Sequence, residues 1–472
     1  MPATSSKSAA KKISVTEIYA ALFGLFLGLA IWKFGNPVVL EQIIGAPANW
    51  QNLWHDAWPL AWANAILSVI TLAGVVLLLA NPFRWPASRW LWILPLIWLA
   101  WQFLSALRSE YHDLTTPTLW QFAGCVVCYF LGALVIGRQR GHRWLLIGIF
   151  IAFAFCLVRA IDQKLFEFPR ERQMLIESQQ AGWTNMTPDL VLELKHENII
   201  INTNGVDVAN PVIIAKYDKG RVSGTLVYPN ALAGIVLLLL PAALAVVWQI
   251  TRKLRPLVCF AAMGLSIFLG LAGLFWSGSK SGWLIALAIG ALWLLRLNWS
   301  RQLKWLVVIV LLIGGLTVFA VRFQKYFAKG ATSVSARFDY WHAAARTALD
   351  RPAFGTGPGT FQRPYARLKR PESEMARLVH NDYLEQFSDS GFIGGLTYLA
   401  WLGLLLWTIG RATWKAIDWL SFAIFAGVLG WFIQGFLEFS LFIPALAWTA
   451  FTLAGCLLAQ SRNEFDKPAR PV

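Results

Sequence analysis

Apolar residues in this chain occur in long runs that short polar connectors separate. Each run is about 18–22 residues long, the length of helix that crosses the hydrocarbon core of a bilayer. Such a run must be helical, because lipid offers no hydrogen-bond partner to an open backbone N–H or C=O group. The pattern therefore predicts an all-α polytopic membrane protein.

The boundaries of the runs predict twelve spanning helices. They lie at 17–34, 61–80, 89–107, 119–137, 143–161, 229–250, 256–275, 281–297, 303–321, 391–409, 416–435 and 441–460. The predicted organisation is a disordered tail (1–16), five spans (17–161), a loop domain (162–228), four spans (229–321), a helical loop (322–390), three spans (391–460) and a second tail (461–472).

Positive charge fixes the orientation that we predict. With the N-terminus inside, the inner connectors hold nineteen Lys and Arg residues, whereas the short outer connectors hold three, Lys33, Arg108 and Lys280. Because cytoplasmic connectors carry the excess of cations, both termini are predicted to be cytoplasmic and both long loops to lie outside.

Composition agrees with this picture. Hydrophobic residues make up 57% of the chain, and many of its 26 Trp lie near the ends of runs, where indole rings sit at the headgroup level. The net charge of +16 does not indicate nucleic acid, because the cations lie between apolar runs rather than on one basic face. All five Cys fall inside predicted spans, so no disulfide framework is predicted.

Both long outer segments have predicted structure of their own. In 162–228 we predict a helix over Gln163–Gln180 and β-like runs over Glu197–Ile201 and Val206–Ala215. In 322–390 we predict amphipathic helices around a Gly/Pro turn at Gly355–Gly359, including one over Pro371–Phe387. The turn lacks a Gly-Lys-Ser/Thr sequence and is interpreted as structural rather than as a nucleotide loop.

His380 is the first candidate for chemistry. On the predicted helix it shares a face with Arg377 and Leu384, and Ser373 is a possible cap. One interpretation is a surface histidine on an amphipathic helix. The other is a general base at the membrane boundary, because histidine titrates near neutral pH and can take a proton from a hydroxyl.

Two cations are candidates for an anion site. Lys280 lies in a short outer turn of small residues, where it either snorkels to the interface or binds phosphate beside helix N-terminal amides. Arg221 precedes the sixth predicted span, where its guanidinium either pairs with a carboxylate such as Asp218 or forks onto two phosphate oxygens.

Taken in order, these stretches resemble the O-antigen ligase/polymerase family of bacterial envelope glycosyltransferases. The resemblance covers roughly 215–435. Its motifs are Arg-x-x-Gly-Thr at 221–225 with Pro-Asn-x-Leu-Ala at 229–233, Ser-Lys-Ser-Gly at 279–282, Pro352 with Gly-x-Gly-Pro-Gly-Thr-Phe at 355–361, and His-Asn-x-Tyr-Leu at 380–384.

The resemblance implies a membrane glycosyltransferase of the GT-C type in the bacterial inner membrane. Its donor would be a glycan on undecaprenyl diphosphate, its site would face the periplasm, and its acceptor would be a lipid A–core hydroxyl. By resemblance, His380 is the general base and Arg221 binds the diphosphate. The family usually has Arg at position 280, so Lys280 keeps the charge but loses the bidentate fork. Asn381, Tyr383 and Arg377 are expected to support the site.

The implied mechanism needs no cofactor. A hydroxyl attacks the anomeric carbon, His380 takes its proton, and Arg221 and Lys280 stabilise the leaving diphosphate. We predict a single displacement with inversion. We predict no metal, because the outer loops hold no clustered Asp/Glu ligand set.

Other functions stay open at this stage. A polymerase and a protein O-oligosaccharyltransferase of the same family would share the donor and the motifs. A transporter or flippase would need polar residues deep in the spans, which contain few; the main candidates, Gln434 and Glu438, lie near the outer end of the eleventh span.

Overall fold

The computed structural model describes residues 14–80, 88–137, 142–328, 332–415 and 418–465, and most of the two predicted tails lies outside these ranges. The helices are α1 (Val15–Lys33), α2 (Trp50–His55), α3 (Leu60–Ala80), α4 (Trp90–Ala106), α5 (His112–Leu131), α6 (His142–Asp162), α7 (Phe168–Gln180), α8 (Pro188–His196), α9 (Pro211–Lys219), α10 (Pro229–Thr251), α11 (Pro256–Ser277), α12 (Lys280–Arg296), α13 (Arg301–Ala328), α14 (Thr332–Asp350), α15 (Gln362–Leu368), α16 (Asp382–Lys415), α17 (Trp419–Gln434) and α18 (Pro444–Phe465).

The all-α prediction is confirmed, since helices dominate the described residues and the strands are limited to one short hairpin. Eight helices in the described part of the chain are long and apolar enough to cross a membrane, and the apolar helices α4 and α17 are shorter. Each predicted span overlaps a helix of the structure, but four of them overlap helices that are not among these eight. The number twelve stays a prediction.

Small residues allow the helices to approach closely. A Cβ added to Gly24 of α1 would lie 2.2 Å from the carbonyl oxygen of Leu145 in α6, and one added to Gly427 of α17 would lie 2.0 Å from that of Leu238 in α10. In lipid, where no hydrophobic effect drives helices together, close backbone contact of this kind stabilises them through van der Waals packing.

The first outer domain mixes helix and hairpin. A π-helical segment, Gln163–Glu167, joins α6 to α7, so the helix predicted over Gln163–Gln180 is present. Strands β1 (Ile200–Thr203) and β2 (Val206–Ala209) pair antiparallel. The β-like prediction for Val206–Ala215 is wrong in its second half, because Asn210 caps a helix that begins at Pro211.

The helix predicted over Pro371–Phe387 is also wrong in its first part. Helix α16 begins only at Asp382, and the chain before it is irregular. Tyr365 donates its hydroxyl hydrogen to the Glu374 carbonyl, and the predicted cap Ser373 donates instead to Asp339. Ala376 and Val379 of this segment pack on α14 and α15 rather than along one helix face.

Helix α16 breaks at Gly391, where φ is 70° and ψ is −172°. The Gly355–Gly359 turn packs into this break: the amides of Thr356 and Gly357 donate to carbonyls of Ser388 and Asp389. A Cβ at Gly355 would lie 2.4 Å from the carbonyl carbon of Asp389. The turn is thus a tightly packed structural element, as interpreted from the sequence.

Candidate functional site

Arg221 lies at the N-terminal end of α10 and the C-terminal end of α11. Its Nε donates to the carbonyl of Ser277 (2.7 Å), the last residue of α11, and Nη2 donates to Oδ1 of Asn230 (2.8 Å). The guanidinium lies over Gly278, where a Cβ would come within 3.1 Å of Nε. Burial lowers the pKa of Arg221, but a guanidinium stays protonated at neutral pH. Asp218, the alternative partner, pairs with Arg172 instead.

Lys280 is the first residue of α12 and is half-buried. Its ammonium lies 3.8 Å from the ring centroid of Tyr326 and 5.3 Å from that of Phe323, both on α13. Its electrostatic neighbours include Arg221, Arg337 and Glu438. The side chain therefore turns towards the Arg221 cluster and rests on aromatic rings that hold it there.

Glu438 is the residue that joins the parts of the site. It lies in the connector between α17 and α18 with only 3% of its surface exposed. Its Oε1 accepts from Nη2 of Arg337 (2.5 Å) and from Nδ2 of Asn230 (2.7 Å). Its Oε2 lies 3.4 Å from Nδ1 of His380. One carboxylate thus links His380 to Arg337 directly and to Arg221 through Asn230.

His380 is held in an unusual backbone conformation. Its φ is 55°, the left-handed region that few residues other than glycine adopt, and it directly precedes the cap of α16. Its ring lies between three others, with centroid distances of 4.7 Å to Phe439, 5.8 Å to Tyr340 and 6.2 Å to Tyr228. Strain that packing maintains in this way concentrates at functional sites.

The hydroxyl of Tyr228 stays neutral at physiological pH. Burial, helped by the Glu438 carboxylate, raises the pKa of Tyr228 to about 12. Burial and the carboxylate of Glu374, which accepts a hydrogen bond from Tyr340 (2.9 Å), likewise raise the pKa of Tyr340. Both phenols can therefore act as neutral hydrogen-bond groups beside His380.

The structure places Arg221, Lys280 and His380 in one cluster around Glu438. We call this cluster, with Arg337, Asn230 and Glu438, the cation site. Arg322 also acts electrostatically on Lys280, so the described charges that act on this ammonium are three arginines and the Glu438 carboxylate. The surplus positive charge suits a ligand with more than one negative charge.

The three supporting residues do not join this site. The side chain of Asn381 accepts from the amides of Tyr383 and Leu384, so it caps α16. Tyr383 donates to the carbonyl of Phe432 (2.7 Å) inside the helix bundle. Arg377 is exposed and directs Nη1 towards the carbonyl of Val39 (3.5 Å). It shares no helix face with His380, because the chain there is not helical.

Three residues of the site were missed as ligands. Asn230 belongs to the Pro-Asn motif, but the sequence gives it no role of its own, and Glu438 is a candidate only under the transporter alternative. Arg337 has no distinguishing sequence feature, because it is one of 41 Lys and Arg residues. Gln434, the other polar candidate for transport, donates to the carbonyl of Asn230 (2.9 Å) and so helps to position the same asparagine.

The described residues contain no group of three or more His, Cys, Asp or Glu arranged to hold a metal ion. All five cysteines are free and buried, as expected for residues within spans.

Comparison with curated proteins gives no significant match. A family model described as O-antigen ligase matches residues 265–399, a stretch that contains Lys280, Arg337 and His380. Members of this family are glycosyltransferase-like membrane enzymes, and the match implies lipid-linked glycan substrates in general. The family recognition made from the motifs is thereby confirmed for residues 265–399, and this chain is a multi-pass membrane protein in which those residues match the O-antigen ligase family.

Proposed function

We propose that this protein is an O-antigen ligase that transfers a glycan from undecaprenyl diphosphate to a lipid A–core hydroxyl at the periplasmic face of the inner membrane. The observation that carries the proposal is the position of Glu438, which contacts His380 on one oxygen and Arg337 and Asn230 on the other. A candidate base and an anion site are thus parts of one hydrogen-bonded unit.

His380 takes the proton from the acceptor. A proton on Nδ1 of its ring donates towards Glu438, which leaves Nε2 unprotonated and able to accept the proton of a hydroxyl. A carboxylate beside a histidine holds the ring and stabilises the imidazolium that forms. The rings of Tyr340 and Phe439 fix the plane of the imidazole.

The cations stabilise the leaving group. The acceptor oxygen attacks the anomeric carbon, the bond from that carbon to the diphosphate oxygen breaks, and the electron pair leaves with the diphosphate. Arg221, Lys280 and Arg337 meet the negative charge that develops there, and partial burial strengthens each interaction. One displacement inverts the anomeric carbon, and the balance of atoms requires no nucleotide sugar and no metal.

His380→Ala and Arg221→Ala test this function in cells. We expect each substitution to lower the transfer of glycan to lipid A–core by about 10²-fold or more, because each removes a group that acts in the transition state. The readout is the ladder of glycosylated lipopolysaccharide at equal protein level. His342→Ala and Arg346→Ala, on α14, are the matched controls and should leave the ladder unchanged. Normal transfer in both site variants would refute the proposal.

The material that accumulates in a deletion strain identifies the acceptor. Long lipid-linked chains together with unmodified core indicate a ligase. Single lipid-linked repeat units indicate a polymerase, the alternative that the same family match allows.

A further inference from the structure

A cavity of about 550 Å³ lies beside the cation site. Trp32 of α1, Trp54 of α2 and the π-helical segment Gln163–Glu167 form its walls, and Arg221 lines it as well. Its volume falls within the range of about 300–1,000 Å³ that is typical of small-molecule sites. Since Arg221 belongs to both places, a ligand in this cavity, which we call the outer cavity, lies next to the reacting groups.

One wall of the outer cavity is held by a buried lysine. Lys33 is only 1% exposed, and its ammonium donates to the carbonyls of Trp54 and Asp56. The amide of Trp58 donates back to the carbonyl of Lys33 (3.1 Å). These bonds fix Trp54 against Trp32 with ring centroids 4.8 Å apart. They also explain why a cation stands on the outer side, where few occur.

The opposite wall is built by the π-helical segment. Oε1 of Gln163 accepts from the amides of Ser223 and Gly224, and its Nε2 donates to the carbonyl of Gly224 (3.1 Å). The Arg221 loop is thereby tied to α6. A π-helical turn is rare and often marks a functional site. Both walls are thus set by hydrogen bonds within the protein before any ligand arrives.

The lining determines which ligand fits. Glu167 and Glu171 face the cavity together with Arg159 and Lys216, and indole rings lie among them. An alkyl chain would remove these charged groups, including the Arg159–Glu167 ion pair, from water without offering them hydrogen bonds, which is costly. A phosphate would meet two carboxylates. A sugar suits the lining, because its hydroxyls both donate and accept and its C–H faces pack on aromatic rings.

We propose that the outer cavity is a saccharide-binding site that holds a short segment of glycan next to the transfer centre. The inference rests on the proposed function and deepens it, because it adds a glycan site outside the cation site. Two glycans meet in the reaction, the transferred chain and the core of the acceptor, and both have the chemistry that this lining recognises.

The test measures binding to the purified full-length protein in nanodiscs by saturation-transfer NMR. Two soluble probes come from the organism that supplies the protein: core oligosaccharide from deacylated lipopolysaccharide, and oligosaccharide released from the O-chain. Trp54→Ala and Glu171→Gln alter the outer cavity. Trp120→Ala, at an exposed tryptophan of α5, and Glu177→Gln on α7 are controls of the same type outside it. Unchanged melting temperatures establish that the variants fold.

We expect one probe to bind the wild type and to lose at least about fivefold in affinity in both cavity variants, with less than a twofold change in the controls. The probe affected tells which glycan the cavity holds. The proposal is overturned when neither probe binds the wild type, or when cavity variants and controls bind equally. His380→Ala should bind the probe normally, so a failure of this proposal is distinguishable from a failure of the proposed function.

Discussion

At the scale of single residues, the carboxylate of Glu438 connects several groups of the site. Glu438 is buried and accepts hydrogen bonds from Arg337 and Asn230 while it faces His380. A buried carboxylate is costly to desolvate and persists only with partners of this kind. Its position therefore couples the orientation of the histidine to the arrangement of the cations.

Glu438→Gln tests that coupling. The amide keeps the size of the side chain but removes the charge that stabilises an imidazolium on His380. We expect kcat for glycan transfer to fall by about 10²-fold or more, with little change in the KM for the donor, because the interaction is made mainly in the transition state.

Glu372→Gln, at an exposed glutamate in the segment before α16, is the matched control and should retain full activity. A Glu438→Gln variant with normal kcat would restrict this carboxylate to a role in folding.

Lys280 stands where the resemblance to the O-antigen ligase family leads one to expect arginine. Lys280→Arg should keep transfer within about fivefold of the wild type, because a guanidinium can also stack on Tyr326 and adds a second donor for phosphate. Lys280→Ala should lower transfer by about 10²-fold, the scale for one lost oxyanion donor.

Lys253→Ala, in the connector after α10, controls for loss of a charge. Equal activity of the Arg and Ala variants would show that Lys280 only anchors a helix end.

At the scale of elements, the sequence predicted those helices that a local pattern of apolar residues determines. Apolar runs such as Pro229–Thr251 predicted helices correctly, since lipid leaves the backbone no alternative. The segment before His380 could not be predicted in this way. Met375, Leu378 and Val379 have helical spacing. The segment instead makes hydrogen bonds to Asp339 and Tyr340, which lie 34 residues before their partners, and to Tyr365.

The same limit applied to the site. The motifs located Arg221, Lys280 and His380 because each lies in a distinctive local sequence. Arg337 could not be selected, because only the fold brings α14 over Glu438. Asn381 and Tyr383 were given functional roles through proximity in sequence, whereas their side chains serve the start and packing of α16.

The break at Gly391 sets the direction of α16. Gly391→Ala would place a Cβ 2.4 Å from the carbonyl oxygen of Ala353, in a backbone region that is essentially restricted to glycine. We expect a loss of about 1–3 kcal/mol in the free energy of unfolding from backbone strain alone, read as a lower melting temperature in detergent.

Gly403→Ala on the same helix is the control. A Cβ there meets no atom within 4 Å, so alanine should leave stability unchanged or raise it by about 0.5–1 kcal/mol. Equal melting temperatures for the two variants would contradict the proposed strain at Gly391.

At the scale of the whole molecule, the function depends on which side of the membrane the cation site faces. Cysteine labelling decides this, because the five natural cysteines are buried and give a low background. Thr184→Cys lies on the first outer domain and Asn298→Cys on the connector between α12 and α13, and both positions are exposed. A membrane-impermeant maleimide should label Thr184→Cys in spheroplasts and Asn298→Cys only after lysis.

That result would place the cation site where ATP and nucleotide sugars are absent, so that a lipid diphosphate is the activated donor available to it. The reverse labelling would put His380 and Arg221 in contact with nucleotide sugars. The surplus of cations around Glu438 would then suit a nucleotide diphosphate equally well, and the choice of a lipid-linked donor would lose its main physical support. The charge asymmetry of the connectors argues for the first outcome, because the inner connectors carry nineteen cations and the short outer ones three.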